Sequence, residues 1–231
     1  LYSMLREINA LEKNVLTIED PIEYHLPLIK QTQVNEQAGL TFIQAIRHFL
    51  RQDPDVMLVG EIRDLETAKI SFQAAMTGHL VFSTIHTNDA ASTIARLLDL
   101  GVEPYLIPTS LRAVIAQRLV RKICPDCVEE YTPTEEELEI YNLKDWRGAG
   151  KTLKRGKGCP ACEYTGYRGR TGIFEILEMT PKISQLITQK VSSDVLMLEA
   201  QKEGMRTMRE DGLNKVLDGI TTIEEVFRVT E

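Results

Sequence analysis

The chain has 231 residues and a formal net charge of −7, with 43% hydrophobic and 26% charged residues. These numbers fit one or two globular domains with real cores and exclude long disorder. A pI near 5.3 excludes a generally basic protein that coats nucleic acid, and no run approaches the ~18 apolar residues of a membrane-crossing helix.

The first ten residues, LYSMLREINA, have neither a basic start nor an apolar centre, so they do not read as a signal peptide. A start at Leu1 rather than Met reads as a piece of a longer chain. Residues 15–18, Val-Leu-Thr-Ile, form a short buried strand that stops at Glu19-Asp20-Pro21. Residues 41–52 place Phe42, Ile46, Phe49 and Leu50 on one helical stripe, with Thr41 as a cap. A second apolar run, 56–59, ends at Gly60-Glu61. Residues 65–77 read as a helix stopped by Gly78. A third run, 80–85, ends at His86. Strands alternating with helices of this length define an α/β domain with a largely parallel sheet.

Open α/β sheets bind ligands beyond the carboxyl ends of their strands. Glu19 with Asp20, Glu61 and His86 all fall at such ends. One polar residue there would simply face solvent, whereas three of this chemistry point to one shared site. His79 precedes its strand and has equal claim to a structural or a site role. His25 and His48 read as ordinary histidines.

Charge and thiols are unevenly placed. Residues 1–111 carry −6, 112–170 carry +3 and 171–231 carry −4. All four cysteines lie in the middle segment, as Cys124-Pro-Asp-Cys127 and Cys159-Pro-Ala-Cys162, with 31 residues between the pairs. Two C-x₂-C pairs can complete a tetrahedral zinc site, although the separation exceeds the usual ribbon spacing. The intervening TPTEEELEIYNL has helical character that fills it. Disulfides and free thiols are the alternatives; nothing in the sequence indicates export, which disfavours the first. Arg118, Arg121, Lys122, Lys151, Lys154, Arg155, Lys157, Arg168 and Arg170 surround the pairs, as a contact for anionic lipid or an acidic partner or as a solvated surface. Residues 181–231 read as short helices: one capped at Ser193-Asp194 and ended by Gly204, one over 205–217, and one opening at Thr221-Thr222. Met197, Met205 and Met208 belong to their core.

Four stretches carry a resemblance: TIEDPIEY at 17–24, RQDPDVMLVGEIRDLETA at 51–68, TGHLVFSTIHTNDA at 77–90, and the paired CPDC and CPAC. In this order the chain resembles the secretion ATPase superfamily, above all the assembly motors of type II secretion systems and type IV pili. The likeness spans essentially the whole chain. It implies a RecA-like P-loop NTPase core truncated at its N-terminus, since the family's Walker A loop lies just before a segment like residues 1–3. It further implies an inserted tetracysteine zinc module and a C-terminal helical region. The corresponding boundaries are 1–115 for the core, 116–172 for the zinc module and 173–231 for the helical subdomain.

By the same resemblance Glu19 would activate water, Asp20 and Glu23 would shape the nucleotide and Mg²⁺ pocket with His79, Glu61 would hold Mg²⁺ and His86 would sense the γ-phosphate. Cys124, Cys127, Cys159 and Cys162 would hold a structural Zn²⁺. The implied cofactors are ATP, Mg²⁺ and Zn²⁺. The implied partners are further copies in a hexameric ring, an inner-membrane platform protein and a cytoplasmic adaptor, with no direct nucleic-acid contact. The implied location is the bacterial cytoplasm, peripherally at the inner membrane. Arg47, Arg51 and Arg63 are expected to make structural or interface pairs, because the family draws its arginine fingers from an upstream domain. A non-catalytic, zinc-stabilised interaction module is the alternative. A retraction or DNA-uptake motor is a weaker third reading, and the cysteine module speaks against retraction.

Overall fold

The structure, a computed structural model, describes residues 1–230. The chain forms two compact units, one of Leu1–Val114 with Glu178–Glu199 and one of Ile115–Leu177 with Ala200–Glu231. The third expected region is thus divided between them.

The first unit opens with α1 (Tyr2–Arg6), β1 (Val15–Glu19), β2 (Lys30–Gln33), α2 (Phe42–Phe49), β3 (Val56–Val59), α3 (Leu65–Met76) and β4 (Leu80–Ser83). All four strands are parallel, in the order β2-β1-β3-β4. The central pair β1 and β3 is buried at every position, as continuous apolar strands covered on both faces must be. Alternation sorts their side chains. Leu16, Ile18, Met57 and Val59 pack with Ala45, Ile46 and Phe49 of α2 and with Ile70 and Ala74 of α3. Val15, Val56 and Leu58 pack on the other face with Leu5 of α1 and Leu26. The edge strands β2 and β4 are only half-buried.

Helix starts follow their caps. Thr41 accepts the Gln44 N–H for α2 and Asp64 the Thr67 N–H for α3. Helix α4 (Ala90–Asp99) begins with a reciprocal Asp89–Ser92 capping box. Gly78, at φ +100°, lets the chain leave α3. Next come α5 (Leu106–Ser110) and a long strand, β5 (Ala113–Ile123). The run expected as a strand over 80–85 pairs only to Ser83, because Thr84 then turns its hydroxyl onto the Gly60 carbonyl, 2.6 Å away.

The second unit holds most of β5, then β6 (Val128–Tyr131), α6 (Glu135–Ile140), β7 (Leu153–Gly156) and most of β8 (Tyr167–Glu178). Strand β5 pairs with β8, and β6 lies antiparallel to β7. Helix α6 is the element expected between the cysteine pairs, capped by Thr134 and Glu137. Helices α7 (Pro181–Thr188) and α8 (Ser193–Lys202) follow β8, and α9 (Met208–Leu217) and α10 (Ile223–Thr230) close the chain. Helix α9 starts three residues later than its pattern, because Thr207 and Glu210 form a capping box there. Leu213 and Val216 of α9 and Ile223, Val226 and Phe227 of α10 share one core with Leu138, Leu143 and Leu153. No helix among the described residues is long and apolar enough to cross a membrane.

Candidate functional site

Strand register levels the carboxyl edge of the parallel sheet. Ile18 pairs with Val59 and Val59 with Ser83, so Glu19, Gly60 and Thr84 stand in one row. The row is stitched by Gly60 N–H to the Ile18 carbonyl at 2.8 Å, Val34 N–H to Glu19 at 2.9 Å and Ile62 N–H to Thr84 at 2.8 Å. Gly60 suits this close approach. A Cβ there would lie 3.1 Å from the Ile18 oxygen and 3.3 Å from the Glu19 Cα.

Glu19 is buried at the end of β1. Its Oε1 accepts from Thr17 Oγ1 at 2.6 Å and Gln31 Nε2 at 3.0 Å, and its Oε2 accepts from the Tyr2 hydroxyl. Asp20 and Glu23 are exposed in the loop that follows. Glu61 stands one residue past the row with a side chain 12% exposed. Its Oε1 pairs with Arg63, and His86 Nε2 stands 3.3 Å from Oε2, a separation at which a protonated imidazole attracts the carboxylate. Yet Oε2 is buried and receives no hydrogen bond from the described residues. The hydrogen bond from Arg63 holds the Glu61 carboxyl below the usual carboxylate range; burial opposes this, and the charges of Arg63 and His86 add to it. Thus Glu19, Glu61 and His86 gather at one edge, with Asp20 and Glu23 beside them.

His79 is not brought there. It precedes β4, at the amino end of the sheet, and its Nδ1 lies 2.9 Å from the Ala74 carbonyl near the end of α3. That carbonyl also accepts from the Thr77 hydroxyl at 2.9 Å, so the imidazole joins a hydrogen-bonded helix end, which is the structural alternative of the sequence reading. Arg63, expected as a structural pair, is the partner of Glu61 itself. Arg47 and Arg51 are exposed at the end of α2. The sequence reading missed Tyr2, Thr17 and Gln31. Thr17 was accessible, since residues two apart on a strand share a face. Gln31 sits on a strand reading Lys-Gln-Thr-Gln, which carries no apolar signal.

In the second unit the four cysteine sulfurs lie within 4.8 Å of one another. Cys124 and Cys159 are 3.9 Å apart, Cys127 and Cys162 3.9 Å, and Cys159 and Cys162 3.7 Å. Thiolates ~2.3 Å from a tetrahedral zinc would be separated by about 3.8 Å, so the donor set and its spacing fit the ion. Two N–H groups, from Cys159 at 3.2 Å and Gly166 at 3.3 Å, donate to the Cys162 sulfur. Burial raises that thiol, but these bonds prevail and lower it to about 6, whereas burial pushes Cys127 up to about 12. Four of the nine basic residues around the cysteine pairs make ion pairs. Arg155 and Lys157 pair with Glu129, Arg168 with Asp126 and Arg121 with Glu225.

A parallel α/β sheet with acidic and imidazole side chains gathered at its carboxyl edge is a RecA-like arrangement, and a second unit carries the four cysteines. The chain belongs to the type II/IV secretion system protein family, whose model matches residues 1–228. It is 51% identical over 229 residues to the type IV pilus assembly ATPase PilB of Thermus thermophilus, covering 99% of this chain and 26% of that protein. It is 49% identical over 231 residues to the type II secretion system ATPase E of Vibrio cholerae, covering 100% of this chain and 45% of that protein. Among solved structures, the pilus retraction motor PilT with bound ADP superposes with a TM-score of 0.69 at 30% identity, over 99% of this chain and 56% of that one. The chain therefore spans less than half the length of these two curated relatives.

Proposed function

We propose that the protein containing this chain hydrolyses ATP to drive assembly of pilin-like subunits, in type II secretion or type IV pilus biogenesis. Family membership supports the class. The observation that carries the reading is the buried, undonated Oε2 of Glu61, whose carboxylate stands between Arg63 and His86 one residue past the row that holds Glu19. Hydrolysis needs a carboxylate to orient the attacking water, a held Mg²⁺ and polar contacts to charge developing on the γ-phosphate. Glu19 supplies the first. A carboxylate offers about four acceptor positions, and three of those on Glu19 are filled, leaving one on Oε2 for water. With Mg²⁺ bound, Glu61 would help hold the ion through its undonated Oε2, since this ion keeps several waters and takes few carboxylates. His86, exposed beside Glu61, contacts the phosphate. Asp20 and Glu23 set the local field.

Cys124, Cys127, Cys159 and Cys162 hold a structural zinc, which when bound stiffens the second unit and leaves no open position for catalysis. Copies of the full protein act as a hexameric ring, docked through an adaptor and a platform protein at the cytoplasmic face of the inner membrane. In the full-length protein, Glu61→Gln is expected to lower phosphate release from ATP on the order of 10²-fold or more while leaving the melting temperature nearly unchanged. Wild-type turnover in that variant would refute the assignment. The alternative, a zinc-stabilised interaction module without chemistry, predicts no ATP turnover in the intact protein and loss of partner binding on zinc removal.

A further inference from the structure

We propose that Tyr2 is a positioning residue of this site, its phenol fixing the Glu19 carboxylate and tying it to the loop that carries Glu23. The inference rests on the reading of Glu19 as the water-orienting group. The Tyr2 hydroxyl donates to Glu19 Oε2 and accepts the Glu23 N–H at 3.2 Å. One oxygen therefore joins the end of β1 to the backbone of the next loop.

Other contacts hold that loop as well. Gln31, which donates to Glu19 Oε1, also accepts the Leu26 N–H at 2.7 Å and donates to the Tyr24 carbonyl at 3.3 Å. The Tyr2 ring stands edge-on to Tyr24 with centroids 4.4 Å apart, and the Arg6 guanidinium lies over the far ring at 5.5 Å. The ring is thus anchored independently of its hydroxyl. Burial, followed by the hydrogen bond to Glu19, raises the Tyr2 phenol above its ordinary value, so it remains a donor at neutral pH.

The acceptor geometry gives the phenol its role. Thr17 and Gln31 both bond Oε1, so they fix one end of the carboxylate and leave its other oxygen unconstrained. Among the described residues only Tyr2 bonds Oε2, and so it determines where the remaining lone pair of that oxygen points. A base whose free lone pair wanders still ionises, but it no longer meets the water in line with the phosphate.

The test is Tyr2→Phe in the full-length protein, which removes one oxygen and keeps the ring on Tyr24. The expected result is a fall in kcat on the order of 10- to 100-fold with KM for ATP changed less than about twofold, since Tyr2 touches the base rather than the nucleotide. Unchanged kcat, or a raised KM at unchanged kcat, overturns the proposal. A second readout needs no turnover. With ¹³C-labelled tyrosine, the resonance lost in Tyr2→Phe should titrate at lower pH in Glu19→Gln than in the wild type. A resonance unmoved by Glu19→Gln refutes the contact itself. A wild-type protein that does not turn over ATP refutes the ATPase reading, and with it the kinetic role of Tyr2, while the resonance still decides the contact.

Discussion

Glu225 offers a quantitative test of what holds the cysteine-bearing unit together. Its side chain is fully buried, yet it accepts five hydrogen bonds: from the Arg121 N–H at 2.9 Å, Arg121 Nε and Nη2 at 3.0 and 2.7 Å, and Arg228 Nε and Nη2 at 2.9 and 2.6 Å. Burial raises its pKa, but the bonds from Arg228 and Arg121 prevail and bring it from 4.5 to about 2. A carboxyl depressed in the folded state stabilises above its unfolded pKa and loses that contribution as pH falls through the folded one. The depression corresponds to about 3 kcal/mol at neutral pH. The Arg121 and Arg228 side chains are 44% and 55% exposed, so solvent screening trims this toward about 2 kcal/mol. Glu225→Gln removes the charge and turns an amide NH₂ toward donors. Urea melts followed by circular dichroism should show the variant weaker by about 2–3 kcal/mol at pH 7, with the gap shrinking to less than half by pH 3. A gap independent of pH would refute the ionic account, and one below about 0.5 kcal/mol would place Glu225 among surface pairs of little consequence.

Three further outcomes follow from the two sites. Purified protein should carry about one zinc per chain by elemental analysis, and Cys162→Ser should lose it, with protease sensitivity rising in 124–166; a metal-free protein equally resistant to protease would remove the structural role of zinc. Gly60→Ala should cost about 1–3 kcal/mol in a urea melt, because the new methyl meets the Ile18 carbonyl at 3.1 Å and the stitched strand ends have no room to part; a neutral result would mean the row is looser than its hydrogen bonds indicate. Arg63→Ala should let the Glu61 carboxyl rise toward its ordinary value, since Arg63 is the main cause of its depression. The acid limb of the pH–rate profile in the full-length protein should then move to higher pH; an unmoved limb would show that Glu61 does not govern it.

The β1 and β3 runs were legible because central strands of a parallel sheet must be apolar throughout, and the turn residues that follow mark their ends. The convergence of Glu19, Glu61 and His86 followed from that topology alone. What escaped were elements without such a signature. Strand β2 is Lys-Gln-Thr-Gln, an edge whose pairing comes from backbone groups, so Gln31 gave no sign that it reaches Glu19. In β5 and β8 long strands alternate half-buried and charged positions, and basic residues such as Arg121 and Lys122 disguise the strand as a surface run. His79 shows the opposite limit: a histidine within a recognised stretch, at the other end of its strand from the acids. Spacing in sequence fixed its strand position, and strand direction decided which edge it occupies.

Glu19 and Glu61 read alike in sequence, each an acid at the end of an apolar run. Their neighbours separate them. Glu19 lies among neutral donors, Thr17, Gln31 and Tyr2, which fill three of its acceptor positions and set its orientation without a partner charge. Glu61 lies beside Arg63 and His86, a guanidinium and an imidazole that set its charge, with one oxygen left undonated. Orientation without charge pairing suits a group that must take a proton from water, because a guanidinium held on it would weaken it as a base. Charge pairing with a free oxygen suits a group that must stay ionised and accept from metal-bound water. An arginine on Glu19 and a tyrosine on Glu61 would exchange these capacities. The distinction therefore lives in residues 2, 31 and 63, none of which would be chosen by searching for acids at strand ends.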